Sequence, residues 1–177
     1  MSQFMNLCLS RQSCRQYADK PVEHEKLVKI IEAARLAPSA CNSQPWRFVV
    51  AENPETVAQI AKAGKQLGIN DFLEKAKAFI VILEDHAVLM PRLRAFMDSQ
   101  YFAKGDIGAA TVTACYAAAD LGLGSCIIGL YDRQMVAAAL GLPGEQRFGA
   151  LIAIGYPEED KTRAKARKSM EDVTRFV

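Results

Sequence analysis

At 177 residues, half of them apolar and 24% charged, the chain has enough material for one domain, residues 1–177, with a real core, and too little for two. The net charge of +2 does not point to nucleic acid, and it fits an acidic small ligand as well as a neutral one. Five cysteines, odd in number and with no Cys-x-x-Cys pair, indicate neither a disulfide framework nor a zinc site, so a reducing, cytoplasmic setting and no metal are expected.

The first residues lack a basic segment followed by an apolar run, so no secretory leader is expected. Residues 1–17 form a mixed segment ending in Ser10-Arg-Gln-Ser-Cys-Arg-Gln-Tyr17. Arg11 and Arg15, four apart with Ser13 between them, can present two cations and a hydroxyl to a phosphate, and a solvated surface turn fits the same residues. Pro21-Val22 opens a helix in which Leu27, Ile30, Ile31, Ala34 and Ala37 recur at intervals of three and four, until Pro38 stops it. Residues 37–48 then interrupt the pattern with two prolines, two serines, Asn42, Gln44 and the only tryptophan. Such a stretch is either a packed connection anchored by a core Trp46 or a loop offering amides and hydroxyls to a ligand. Residues 47–51 read as a short buried strand.

Asn53-Pro-Glu55 is a capped helix start, and the helix runs to Gly64; the lysine after that glycine lacks the spacing of a P-loop. Residues 68–71 are a loop in which Asn70 is a turn residue or a ligand contact. Residues 78–83 are a buried strand. Residues 84–102 are poorly patterned and read as a mobile helix-and-loop segment, whose Phe96, Tyr101 and Phe102 either cover a pocket or enter the core. Residues 103–121 are alanine-rich and apolar on nearly all sides, so a helix buried all round is expected, against the core and against another subunit, ended by Gly122. Its longest apolar run, 107–119, is too short for a membrane span. Gly122 and Gly124 begin like a dinucleotide fingerprint but follow a helix and precede a strand, which excludes it. After the strand 125–128, Gly129 permits close approach of a flat ligand. A short helix spans 132–140, a last strand 149–156, and residues 161–168 carry five cations before the chain turns apolar again at Met170, Val173, Phe176 and Val177. That basic run is a solvated face or a holder for one phosphate.

Four marks in order resemble the FMN-dependent nitroreductase family, over almost the whole chain. They are Arg11-Gln-Ser-Cys-Arg15; Ala37-Pro-Ser-Ala-Cys-Asn42-Ser-Gln44-Pro-Trp46; Gly122-Leu-Gly-Ser-Cys126 with Ile128-Gly129; and Ala153-Ile-Gly-Tyr-Pro157 followed by Lys165-Ala-Arg-Lys168. The resemblance implies an α+β fold, a central, mostly antiparallel sheet flanked by helices, in an intertwined homodimer with FMN at the subunit interface. It also implies a C-terminal segment that reaches across to the partner's sheet.

By the same resemblance, Arg11 and Arg167, helped by Lys165 or Lys168, hold the FMN phosphate. Gln12 and Ser13 bind phosphate or ribityl hydroxyls, and Arg15 lies by the pyrimidine edge. Pro38, Ser39, Asn42 and Gln44 come from the second subunit, Asn70 is a further candidate contact, and the backbone after Ile128-Gly129 faces the ring. The implied activity is ping-pong two-electron reduction of a small organic acceptor by NADH or NADPH, with no protein side chain as nucleophile or acid. Cys14 and Cys41, although inside the motifs, carry no mark of activation. The short stretch between residues 83 and 103 leaves the acceptor open, from nitroaromatics and quinones to flavin itself. A flavin store or redox sensor without turnover is the alternative, and a dimeric scaffold with an acidic partner for its basic tail is the plainest one.

Overall fold

A computed structural model gives the fold and describes residues 2–65, 68–143, 145–159 and 161–177. Four strands make one sheet: β1 (Trp46–Ala51), β2 (Ala78–Glu84), β3 (Gly124–Ile128) and β4 (Phe148–Gly155), in the order β1-β2-β4-β3 with every neighbouring pair antiparallel. The middle strands β2 and β4 read as unbroken apolar runs rather than alternating ones because helices cover both faces of the sheet. On one face lie α2 (His24–Arg35) and α5 (Ala103–Asp120), which close a core of Leu27, Ile30, Ile80, Ile82, Ala114 and Ile152. On the other lie α3 (Pro54–Lys65) and α6 (Arg133–Ala139), around Ile60, Leu73, Phe79, Val81, Val136 and Leu151.

Three further α-helices lie among the described residues: α1 (Gln3–Ser10), α4 (Pro91–Arg94) and α7 (Met170–Val173). The sequence pattern does not announce α1, which is short; it is capped by Ser2, whose hydroxyl accepts from the Met5 amide, and it leans on α5 through Phe4 and Tyr116, 5.6 Å between ring centres. Helix α2 starts at His24, two residues inside the expected Pro21-Val22 opening, and ends at Arg35, before the constraint Pro38 places on Ala37. Strand ends differ from expectation by one residue at β1, β2, β3 and β4.

Helix α5 meets the core side of its expectation: it is buried through Ala103, Ile107, Ala110, Ala114 and Ala118, while Gly105, Gly108 and Val112 form an open stripe, Val112 at 47% exposure. The expected burial against another subunit concerns that open stripe. Residues 84–102 hold α4 and a 3-10 turn, pinned by Gln100, which accepts from the Ala87 amide at 2.5 Å and donates to Glu84 at 2.9 Å and to the Asp85 carbonyl at 3.0 Å. Phe96 and Tyr101 stand exposed rather than in the core. Among the described residues no helix is long and apolar enough to cross a membrane.

Candidate functional site

Helix α1 is capped by Arg11, whose amide still bonds the Leu7 carbonyl at 2.9 Å, and the chain then runs extended beside β3. Ser13 faces Ser125 in a parallel bridge, and the Cys14 amide donates to the Ser125 carbonyl at 2.9 Å. Gly124 is required by this approach: a Cβ there would stand 2.6 Å from the Cβ of Cys14. Gly122, with φ at +75°, ends α5 in the left-handed conformation that glycine adopts without strain.

The tail is laid over the same segment. Gln12 Nε2 donates to the Lys161 carbonyl at 2.7 Å, and Gln12 Oε1 accepts from the Arg163 amide at 3.1 Å and from Arg163 Nε at 3.0 Å. Arg163 Nη2 donates to the Ser13 carbonyl at 2.7 Å, and Lys165 Nζ donates to the Arg11 carbonyl. Burial first, and then the cations of Arg167, Arg11 and Arg163, hold the Lys165 ammonium below the ordinary lysine range. Arg11, Gln12, Gly124, Ser125 and Thr162 line a cleft of about 210 Å³, and Ser13 and Arg15 line an adjoining one of about 140 Å³, with Glu159 at the edge of both. Among the described residues Arg11, Arg15, Lys165 and Arg167 make no ion pair with a carboxylate. Converging cations without acidic partners suit a phosphate-sized anion.

The loop 38–44 is built differently. The Ala40 amide donates to both oxygens of Asp106 in the first turn of α5, at 3.1 and 3.2 Å. Cys41, Asn42 and Gln44 all have positive φ, at 54°, 52° and 47°. Asparagine tolerates that region; for Cys41 and Gln44 it costs on the order of 1 kcal/mol each. The strain is held by Ser39 Oγ, which accepts from the Gln44 amide at 3.0 Å, by Gln44 Nε2, which donates to the Asn42 carbonyl at 3.2 Å, and by buried Pro45 and Trp46 below. Trp46 belongs to the core beside α2, so it is the anchor of the loop, whereas Pro38, Asn42 and Gln44 are exposed.

One chain does not bring these two regions together. The loop hangs from Asp106 and the cation cleft reaches Ala119, thirteen residues further along α5, a separation of about 20 Å. Ile128 is buried and Gly129 exposed, with open space where its Cβ would stand. Asn70, left-handed at φ 66°, uses Nδ2 to tie the Gly64 and Leu130 carbonyls, 3.3 Å each, which is the work of a turn residue. Lys168 is exposed and makes no bond to the cluster among the described residues, so Lys165 is the lysine that joins Arg11. Sequence reasoning missed Arg163; the available signal was the two-residue spacing of Arg163, Lys165 and Arg167, which in an extended chain returns side chains to one side. Burial raises the Cys14 pKa, which disfavours the thiolate, and its thiol donates to the Gln16 carbonyl at 3.2 Å.

A family model described as the nitroreductase family matches residues 8–156. The chain belongs to the nitroreductase family. It is 33% identical over 175 residues to an NADH dehydrogenase of Thermus thermophilus, covering 86% of this chain and 85% of that one. Among solved structures it superimposes on an FMN-dependent nitroreductase of Clostridium difficile, with a TM-score of 0.78, 27% identity and coverage of 97% and 98% of the two chains. A Desulfovibrio desulfuricans protein solved in complex with FMN gives a TM-score of 0.80 at 26% identity, covering 98% and 96%. The nitroreductase fold expected from the four marks is therefore the fold of this chain, an α+β arrangement around an antiparallel sheet. The family match ends before the basic tail, so Arg163 and Lys165 are placed by this chain's own hydrogen bonds, and Arg167 follows them in the chain.

Proposed function

We propose that the protein is an FMN-dependent NAD(P)H oxidoreductase that reduces a small organic acceptor, such as a nitroaromatic or a quinone, by a two-electron ping-pong cycle in a homodimer. One observation carries this: Arg11, Lys165 and Arg167, which make no ion pair with a carboxylate among the described residues, are gathered at one end of α5, while the strained, exposed loop 38–44 sits about 20 Å away at the other end. A site built from both needs two chains. The donor set fits the cofactor, because a dianionic phosphate offsets the burial and the neighbouring cations that together lower Lys165. The relatives solved or named with FMN support the same choice.

Bound there, FMN supplies the redox chemistry, accepting hydride from NADH or NADPH and passing two electrons to the acceptor. The protein's part is positional and electrostatic. Arg11, Lys165 and Arg167 neutralise the phosphate, and Ser13 serves the ribityl hydroxyls. Arg15, exposed beside the second cleft, stabilises negative charge at the pyrimidine edge. Pro38, Ser39, Asn42 and Gln44 come from the second subunit, and the open backbone at Ile128-Gly129 lets the ring approach. Asn70 supports the chain after β3 by its bond to Leu130. Gln12 acts through the tail, since both lone pairs of its side-chain oxygen are already engaged.

The test is direct. Purified protein is expected to be yellow, or to take up FMN when it is added, and anaerobic NADH or NADPH is expected to bleach it within seconds. Protein that stays colourless in excess FMN overturns the proposal, and bound flavin that neither donor bleaches turns it into the store or sensor reading.

A further inference from the structure

The basic tail is drawn onto the 11–13 segment against its own charge. Lys165 sits among Arg11, Arg163 and Arg167, and each of these cations raises the free energy of the others. Among the described residues, no backbone-to-backbone hydrogen bond ties residues 161–168 to the body. What holds them is a set of side-chain tethers at every second residue: Gln12 to the Lys161 carbonyl, Gln12 and the Ser13 carbonyl to Arg163, and the Arg11 carbonyl to Lys165. The Arg163 guanidinium spans two acceptors on different residues from separate nitrogens fixed in one planar fork, whereas an ammonium has to draw both acceptors to a single nitrogen.

We infer that Gln12 and Arg163 form a positioning clamp that docks the tail in advance and delivers Lys165 and Arg167 to the phosphate end, Arg163 itself not being a phosphate ligand. The inference rests on the flavin reading above for its ligand. The fork of Arg163 is turned to Gln12 and Ser13, so the bonds that hold the tail are made between groups of this chain. A tail ordered beforehand removes the entropy of ordering it from the binding step, so the clamp raises affinity for the phosphate without touching it. The clamp therefore acts only on ligands that carry a phosphate.

Three variants test it: Arg163→Lys, Arg163→Ala and Gln12→Ala. For each, FMN and riboflavin dissociation constants are measured by flavin fluorescence quenching, and tryptic cleavage after Lys165 and Arg167 is timed in the flavin-free protein. All three variants are expected to weaken FMN at least tenfold, to change riboflavin less than twofold, and to speed cleavage of the free tail severalfold. Wild-type FMN affinity in Arg163→Lys overturns the clamp, because charge alone would then suffice. Equal weakening of riboflavin, or an unchanged rate of tail cleavage, overturns it as well. If the unsubstituted protein binds neither flavin, the proposed function fails, and the cleavage rates still decide whether the clamp exists.

Discussion

Arg11 takes part in the cation cluster, the proposed phosphate end, through two different groups. Its carbonyl receives Lys165, and its guanidinium borders the cleft. Arg11→Ala removes only the second, so the tail stays docked while one charge-assisted contact to phosphate is lost. Such contacts are worth about 1.5–3 kcal/mol, so FMN affinity is expected to fall by roughly ten- to a hundredfold. Titration of the flavin-free variant reads this out, and its thermal midpoint is expected to stay near that of the unsubstituted protein. Tyr17 illustrates the opposite case, a residue whose polar atom serves stability alone. It is 1% exposed, its hydroxyl donates to the Ala153 carbonyl at 3.2 Å, and burial is the first cause of a pKa raised well above 10. In the unfolded chain the phenol ionises near its usual value of about 10, while the folded state keeps the proton. Above that pH the unfolded state binds fewer protons, so stability is complete at neutral pH and falls as pH rises past about 10. Tyr17→Phe is expected to flatten this alkaline decline in urea titrations at pH 9 to 11, at a cost of about 1 kcal/mol at pH 7 for the lost hydrogen bond.

At the scale of elements, the sheet and the helices that bury one face were legible because periodicity and caps recorded them. Asn53-Pro-Glu55, the run 78–83, and Asp132 with Gly141 each marked an element within a residue or two of its observed ends. Helix α1 was not legible, because eight residues with no fully buried side chain leave little pattern; α5 was half legible, because alanines and glycines fit a buried face and a bare one alike. The candidate site followed the same rule. Motif residues such as Arg11 and Asn42 were legible from their order, whereas the pairing of Gln12 with Arg163 joins positions 151 residues apart and leaves no local trace. Gly124 shows how a motif glycine can be read as packing once the neighbouring segment is known. Its backbone is not left-handed, and what it lacks is room, since a Cβ would meet Cys14 at 2.6 Å. Gly124→Ala is expected to destabilise the fold by about 1–3 kcal/mol through this overlap. The double variant with Cys14→Gly is expected to recover part of the loss. Chemical unfolding of the single and double variants checks both, and additive losses would show that the two residues do not collide.

As one chain the molecule leaves apolar side chains bare in three places. Gly105, Gly108 and Val112 leave one side of α5 bare, Phe4 and Leu9 of α1 are exposed, and residues 170–177 carry Met170, Val173, Phe176 and Val177 outside the core. The proposed homodimer answers these surfaces and the gap of about 20 Å along α5 together, as a two-fold pair in which each site takes its cations from one chain and its 38–44 loop from the other. Disruption of the bare stripe would test dimerisation, but it would not show which chain supplies which residue. Mixed dimers do. When an Arg11→Ala chain is paired with an Asn42→Ala chain, one of the two sites receives Arg11 from the second chain and Asn42 from the first, and is intact; the other lacks both. Each variant alone forms dimers in which both sites are damaged. Differently tagged chains, co-expressed and purified through both tags, are therefore expected to hold about one tightly bound FMN per dimer, with the tight binding absent from either parent. If Arg11 and Asn42 served the same site from a single chain, every site in the mixed dimer would carry one of the two lesions, and tight binding would not return. Flavin stoichiometry thus separates a shared site from two self-contained ones.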